Sequence, residues 1–174
     1  MMNKGLEIKR FDTIEYVHEV KSEFSNRGME RTDTYFERCF NENIIGERVT
    51  LLAYYQGNLA GCGHLINTSS YPFFLENRIP EINDLNVFPE YRRRGIAGNL
   101  LDEFERIASE THEIIGIGVG LYKDYGSAQR LYCKKQYIPD GNGVFYQNEQ
   151  VKPGNTVPVD DELVLFFTKQ LSKG

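Results

Sequence analysis

The stretch Val87-Phe88-Pro89-Glu90-Tyr91-Arg92-Arg93-Arg94-Gly95-Ile96-Ala97-Gly98-Asn99-Leu100-Leu101 leads from an apolar strand through a basic, glycine-containing turn into an amphipathic helix. A helix entered this way presents unpaired backbone N–H groups and the positive end of its dipole. Gly95, Ala97 and Gly98 leave that backbone bare enough for a diphosphate to touch it. The segment therefore reads as a site for a phosphorylated cofactor. Rival phosphate motifs fit less well: a Walker loop needs Gly-Lys-Ser/Thr and a dinucleotide fingerprint needs G-x-G-x-x-G, whereas this turn reads Gly-Ile-Ala-Gly. Three adjacent arginines alone would suit a solvated charge run before a surface helix. The full order of strand, proline, arginines, small residues and apolar helix favours the phosphate reading.

Working outward, Ile96, Leu100, Leu101, Phe104, Ile107 and Ala108 recur at helical spacing and require a sheet to pack on. Ile82 to Val87 is the strand that delivers the turn, and Glu113 to Val119 the next strand. Gly126 to Gln136 then reads as a helix, with late strands at Val144 to Gln147 and Glu162 to Thr168. Upstream, Val49 to Tyr55 and Leu59 to Ile66 flank Gln56-Gly57-Asn58, the pattern of a β-hairpin with a short glycine-containing loop. Leu6-Glu7-Ile8-Lys9 alternates as a strand does. Asp12-x-x-Glu15 has capping-box spacing ahead of Ile14, Val17, Val20 and Phe24, giving a first helix. A second helix carries Tyr35, Phe36, Cys39 and Phe40 on one face. Residues 67–80 lack clean periodicity and mix aromatic with polar side chains, which suits a substrate-facing loop and a packed surface loop equally. A hairpin followed by alternating strands and helices predicts a mixed α/β fold, its central sheet largely antiparallel and flanked by helices.

The 174 residues fit one domain spanning 1–174, long enough to bury roughly 70% of the unfolded surface in one core. A net charge of −5 gives no general basic field for a nucleic-acid backbone, so the arginine cluster is a local feature that suits a small anion. Cys39, Cys62 and Cys133 show none of the C-x-x-C spacings of zinc or redox sites, and a reducing cytoplasm is the simplest context. Met1-Met2-Asn3-Lys4-Gly5 has no apolar signal region, and no run approaches the roughly 18 apolar residues of a membrane span. His18, His64 and His112 lie far apart and read as ordinary surface or strand histidines, so no metal is expected.

The order Arg92-x-x-Gly95-x-Ala97 resembles the acyl-CoA-binding signature, Gln/Arg-x-x-Gly-x-Gly/Ala, of the GNAT N-acetyltransferase superfamily. Downstream, Ser127-Ala128-Gln129-Arg130-Leu131-Tyr132-Cys133-Lys134-Lys135-Gln136-Tyr137 resembles that family's segment Asn-x-x-Ala-x-x-Leu-Tyr-x-Lys-x-Gly-Phe. The two motifs stand in the expected order with a strand between them, and with the hairpin the resemblance covers roughly residues 48–147. Two departures stand out. Tyr125 occupies a position where the family often has Asn, so a side-chain contact to the pantetheine arm is not carried over there. Gln136 replaces the usual Gly ahead of the aromatic, so the helix is expected to end without a left-handed glycine.

The resemblance implies a GNAT-like sheet and acetyl-CoA as acetyl donor. It likewise implies as acceptor a primary amine, on a small molecule or a peptide, that would attack the thioester directly. The N–H groups of Arg94, Gly95, Ile96, Ala97, Gly98 and Asn99 would hold the CoA diphosphate, assisted by the side chains of Arg92 and Arg93. The Val87 N–H would face the thioester oxygen. Tyr132 matches the family tyrosine that sits near the sulfur as general acid, and a phenol with a pKa of about 10 stays protonated at neutral pH. Its rival role is core packing. Asp84 stands where many relatives carry a carboxylate that strips a proton from the ammonium, directly or through water; an acceptor-orienting or structural acid is the rival role. The acidic run Asp160-Asp161-Glu162 reads as a solvated turn or as a rim attracting a cationic acceptor. A non-catalytic acyl-CoA sensor is the competing function, and Tyr132 with Asp84 argues for the enzyme. No nucleic-acid or membrane partner is expected, and a homodimer stays open.

Overall fold

Gln56 at φ 51° and Gly57 at φ 82° close a two-residue turn between β2 (Arg48–Tyr55) and β3 (Asn58–Ile66). Positive φ at both central residues is the type I′ geometry whose twist matches paired antiparallel strands. The computed structural model describes residues 4–172; Met1 to Asn3, the start of the N-terminal segment read above, lie outside it. The remaining elements are β1 (Leu6–Arg10), α1 (Ile14–Ser25), α2 (Asp33–Ile44), α3 (Pro72–Asn77), β4 (Glu81–Val87), α4 (Ile96–Ser109), β5 (Ile114–Gly120), α5 (Gly126–Lys134), β6 (Ile138–Tyr146), β7 (Glu149–Gln150) and β8 (Leu163–Gln170). The strands form one mixed, mostly antiparallel sheet in the order β1-β2-β3-β4-β5-β8-β6-β7, with β4 parallel to β5. This is the expected mixed α/β architecture.

The chain divides into two compact units, one holding the residues up to Ile66 with Asp84–Glu103, the other Asn67–Asn83 with the residues from Phe104 onward. In the first, Leu6 pairs with Tyr55 and Arg48 with Ile66, so β2 is bonded on both edges. Val17, Val20 and Phe24 of α1 and Phe36 and Cys39 of α2 pack with Leu52, Cys62 and Phe88 into its core. Gly61 of β3 lies so close to β4 that a Cβ there would come within 2.4 Å of the Asn86 carbonyl oxygen.

The second unit is organised by β5. Ile115, Ile117 and Val119 alternate with Gly116, Gly118 and Gly120, so one face of the strand is branched and buried and the other is bare. A Cβ at Gly116 would meet the Phe74 ring at 2.3 Å. The bare face gives room to an aromatic cluster in which Tyr71 stacks on Phe166 at 3.7 Å and meets Phe74 and Phe145 edge-on.

Several expectations need correction. The α1 N-cap is Thr13, not Asp12, which puts Glu15 at the second helical position and breaks the capping-box spacing; Ile14 is 49% exposed. Residues 67–80 contain the six-residue α3, opened by Pro72 at its first turn and too short to show a period. The strand expected at Val144 begins at Ile138 and is followed by the short β7. At the end of α5, Gln136 adopts the left-handed conformation itself, at φ 69°. The Tyr137 N–H reaches the Tyr132 carbonyl and the Gln136 N–H the Cys133 carbonyl, both at 3.0 Å. This is a Schellman ending built without glycine.

Candidate active site

β4 ends at Val87 and a single 3₁₀ turn, Pro89–Tyr91, carries the chain into the basic segment. Arg27, beyond the end of α1, braces that turn: its guanidinium pairs with Glu90 and Glu23 and lies 4.1 Å from the Phe88 ring centre. Arg92 Nε donates to the Val87 carbonyl at 3.1 Å, which draws the turn shut. Arg93 and Gly95 both take positive φ, 59° and 74°, and Arg94 lies over the Tyr55 ring at 5.1 Å. Gly95 thus meets both demands of the site, a left-handed backbone and the absence of a side chain. Ile96, Leu100, Leu101, Phe104 and Ala108 are buried, which fixes the axis of α4.

The first turn of an α-helix leaves its N–H groups without intrahelical partners, here those of Ile96, Ala97 and Gly98. The Asn99 N–H donates to the Gly95 carbonyl at 3.1 Å, and its side chain caps the same oxygen at 2.8 Å. Asn99 is therefore removed from the expected set of anion-binding amides, because its N–H makes the first bond of the helix. Exposed Arg92, Arg93 and Arg94, a bare glycine and these amides together fit a diphosphate.

Asp84 lies in the same unit as this turn and is the strained residue of β4, with φ 48°. Aspartate tolerates this left-handed conformation better than most residues, and strain of this kind concentrates at functional sites. Both carboxylate oxygens are engaged: Oδ2 accepts from the Tyr35 hydroxyl at 2.9 Å and Oδ1 from Asn86 Nδ2 at 2.7 Å. The Tyr35 oxygen also lies 3.0 Å from His64 Nε2, and His64 Nδ1 lies 2.7 Å from Thr50 Oγ1. Asn43 Nδ2 donates to Thr50 Oγ1 at 2.8 Å and to the Cys39 carbonyl at 2.7 Å, while Asn43 Oδ1 accepts from the Thr50 N–H at 2.7 Å. Burial pulls the His64 pKa down to about 3, with Arg48 adding to the effect, so the ring is neutral. Burial likewise pushes the Tyr35 phenol well above its ordinary value, with the neighbouring Asp84 charge contributing.

Tyr35 also lines a cleft of about 400 Å³ together with Glu30, Arg31, Thr32, Thr34 and Arg38. From the sequence, Tyr35 reads only as part of one face of α2 and His64 as an ordinary surface or strand histidine, and nothing marks Thr50 or Asn43. One signal was available: a histidine inside the uninterrupted small and apolar run Leu59-Ala-Gly-Cys-Gly-His-Leu65 must find a polar partner once buried.

Tyr132 belongs to the second unit, on α5, where it is buried against Tyr137. Burial pushes its phenol up to about 12, so it holds its proton at neutral pH. Tyr125, the departure from the family pattern, donates to Asp161 at 2.9 Å, and Tyr122 donates to the same oxygen. With Tyr146 on Asp160 at 3.1 Å, the acidic run is tied down by phenols. Glu81 is buried, accepts from Ser69, and has its pKa raised by that burial. Among the described residues, no group of three or more His, Cys, Asp and Glu side chains is placed to hold a metal, and no helix is long and apolar enough to cross a membrane.

The sequence profile of the acetyltransferase (GNAT) family matches residues 14–136. No curated protein matches the chain by sequence. Among solved structures, the fold is similar to spermidine N-acetyltransferase from Vibrio cholerae in complex with CoA and spermine, at 17% identity and a TM-score of 0.69 over 98% of both chains. It is also similar to YncA from Salmonella typhimurium with its cofactor acetyl-CoA, at 17% identity and a TM-score of 0.66 over 98% of this chain and 96% of that one. A third similar structure is the Salmonella typhimurium acetyl transferase that modifies the N-terminal serine of ribosomal protein L7/L12. There the identity is 12% and the TM-score 0.69, over 97% of this chain and 96% of that one.

Proposed function

The chain belongs to the acetyltransferase (GNAT) family, and we propose that it acts as a single domain transferring the acetyl group of acetyl-CoA to a primary amine that attacks the thioester directly. Acetyl-CoA supplies the activated acetyl group. The N–H groups of Ile96, Ala97 and Gly98 bind the diphosphate at the N-terminus of α4, and Arg92 and Arg93 add positive charge beside them. The Val87 N–H orients the thioester oxygen and stabilises the negative charge that develops on it. Asp84 takes a proton from the ammonium form of the acceptor, because a lysine-like amine with a pKa of about 10.4 is mostly charged at neutral pH. Tyr132 returns a proton to the departing thiolate.

The observation that supports this reading most is Asp84, a strained carboxylate held by two side chains, Tyr35 and Asn86, in the unit that also contains the signature turn. A sensor needs the turn but has no use for that carboxylate. The solved relatives act on a polyamine and on a protein N-terminus, so both belong in an acceptor panel for this chain, along with amino acids and small amines.

The test is acetyl-CoA-dependent thiol release across the panel. Wild type should turn over at least one amine, Gly95→Glu should lose CoA binding by calorimetry, and Tyr132→Phe should keep that binding while kcat falls roughly 10²-fold. A wild type that binds acetyl-CoA but acetylates nothing in the panel would favour the sensor. Unchanged turnover in Tyr132→Phe would reduce Tyr132 to core packing.

A further inference from the structure

The hydrogen bonds behind Asp84 run in one direction, anchored by the backbone at Asn43 and set by the Tyr35 proton at Asp84. Asn43 is oriented without ambiguity, because Oδ1 must accept from the Thr50 N–H and Nδ2 must donate to the Cys39 carbonyl. Nδ2 therefore donates to Thr50 Oγ1 as well, which by itself leaves the Thr50 hydroxyl free to donate to His64 Nδ1 or accept from it. The other end decides: the Tyr35 proton goes to Asp84 Oδ2, so the neutral ring must donate from Nε2 to the Tyr35 oxygen, and its bare Nδ1 accepts the Thr50 proton. In the opposite tautomer, Nε2 would draw the Tyr35 proton and take it away from Asp84.

We propose that Asn43, Thr50, His64 and Tyr35 are positioning residues of the acetyl transfer, a one-way donor chain that ends on Asp84 and fixes its carboxylate as the proton acceptor. The proposal rests on Asp84 being the base. The chain anchors and does not conduct: it ends at an amide that neither gives nor takes a proton, so a proton gained by Asp84 leaves on the side away from Tyr35. Other groups around the chain are Cys39, Arg38 and Glu42 on α2, Arg48 on β2, Cys62 on β3, Asn86 on β4, and Arg31 ahead of α2. The substitutions below leave all of them in place.

A carboxylate that loses a donor is harder to keep ionised. Profiles of kcat/KM against pH with the best acceptor read this directly. Tyr35→Phe should move the acid limb up by about one pH unit, a loss of about tenfold below that limb, while the high-pH plateau is retained. Thr50→Val, two side chains away from the carboxylate, should move the limb the same way by less, because it releases His64 to the other tautomer. Thr50→Ser should restore the wild-type limb. A deficit in Tyr35→Phe or Thr50→Val that is the same at every pH would overturn the proposal, since that is what a merely structural role produces. If instead Asp84→Asn matched wild type throughout, the base assignment itself would fall, and the chain's role with it.

Discussion

Tyr35 and Tyr71 each donate a phenolic proton to an aspartate, at 2.9 Å to Asp84 and 2.6 Å to Asp140, and each has its pKa pushed up chiefly by burial. What surrounds them differs. Tyr71 is a packing residue with a polar tip, its ring parallel to Phe166 and edge-on to Phe74 and Phe145. Tyr35 is a junction, whose oxygen donates to one side chain while a buried histidine lies within hydrogen-bond distance. Under the proposed mechanism, the same residue type serves stability in one unit and chemistry in the other. The discriminating feature is where the polar partners lead: Tyr71 meets Asp140 and Asn142 beside its aromatic stack, whereas behind Tyr35 a buried histidine continues to Thr50 and Asn43.

The largest effect is expected where packing dominates. Tyr71→Ala should cost roughly 3–5 kcal/mol, as for other buried aromatics, whereas Tyr71→Phe keeps the stack and should cost about 1 kcal/mol. Urea unfolding of the two variants checks this. Equal losses would mean that the Asp140 bond, and not the ring, carries the stability.

Gly61 and Gly116 sharpen the same contrast. A methyl at Gly116 meets the Phe74 ring, and one at Gly61 meets the main chain of β4 at Asn86. Each alanine variant should lose roughly 1–3 kcal/mol by overpacking. Only Gly61→Ala should also lower kcat/KM per folded molecule, because it displaces the strand that leads into Val87.

The buried titratable groups should respond to acid in opposite senses. His64 in the folded state is depressed to about 3 from its ordinary 6.5, so the unfolded chain binds the proton first. Its stabilisation is present above 6.5 and is lost as pH falls toward 3. Glu81 is raised from 4.5, so its contribution is full below 4.5 and is lost as pH rises past the folded-state pKa. Urea midpoints followed with pH should show the first slope flattened in His64→Gln and the second in Glu81→Gln. A His64→Gln slope equal to wild type would show that His64 does not titrate on unfolding. The smallest effect is expected at the end of α5, where Gln136→Gly relieves a left-handed side chain and should raise stability by roughly 1 kcal/mol in the same assay.

Elements with a strong local period were legible in the sequence. The α4 stripe and the hairpin around Gln56-Gly57 follow from spacing and turn chemistry, and both motifs of the family resemblance lie on the elements expected of them. What the sequence hid is short or non-local. α3 has too few residues to show a period, and the α1 cap turned on a shift of one residue. The departure at Gln136 was legible, but not that glutamine would accept the strained conformation itself. Motif context singles out Asp84 and the signature turn as candidates, whereas the side chains lined up behind Asp84 through Tyr35 come from α2, β2 and β3 and meet only when the sheet is formed.

The most direct test of the account is the pH dependence of Asp84→Asn with the best acceptor amine. Asparagine also tolerates φ near 50°, so the backbone of β4 should hold while the base is lost. The account predicts a kcat/KM deficit of roughly 10²-fold or more near neutral pH that shrinks steadily as the acceptor's own pKa is approached, where the amine is already neutral. A deficit that stays constant across that range, or none at all, would contradict it.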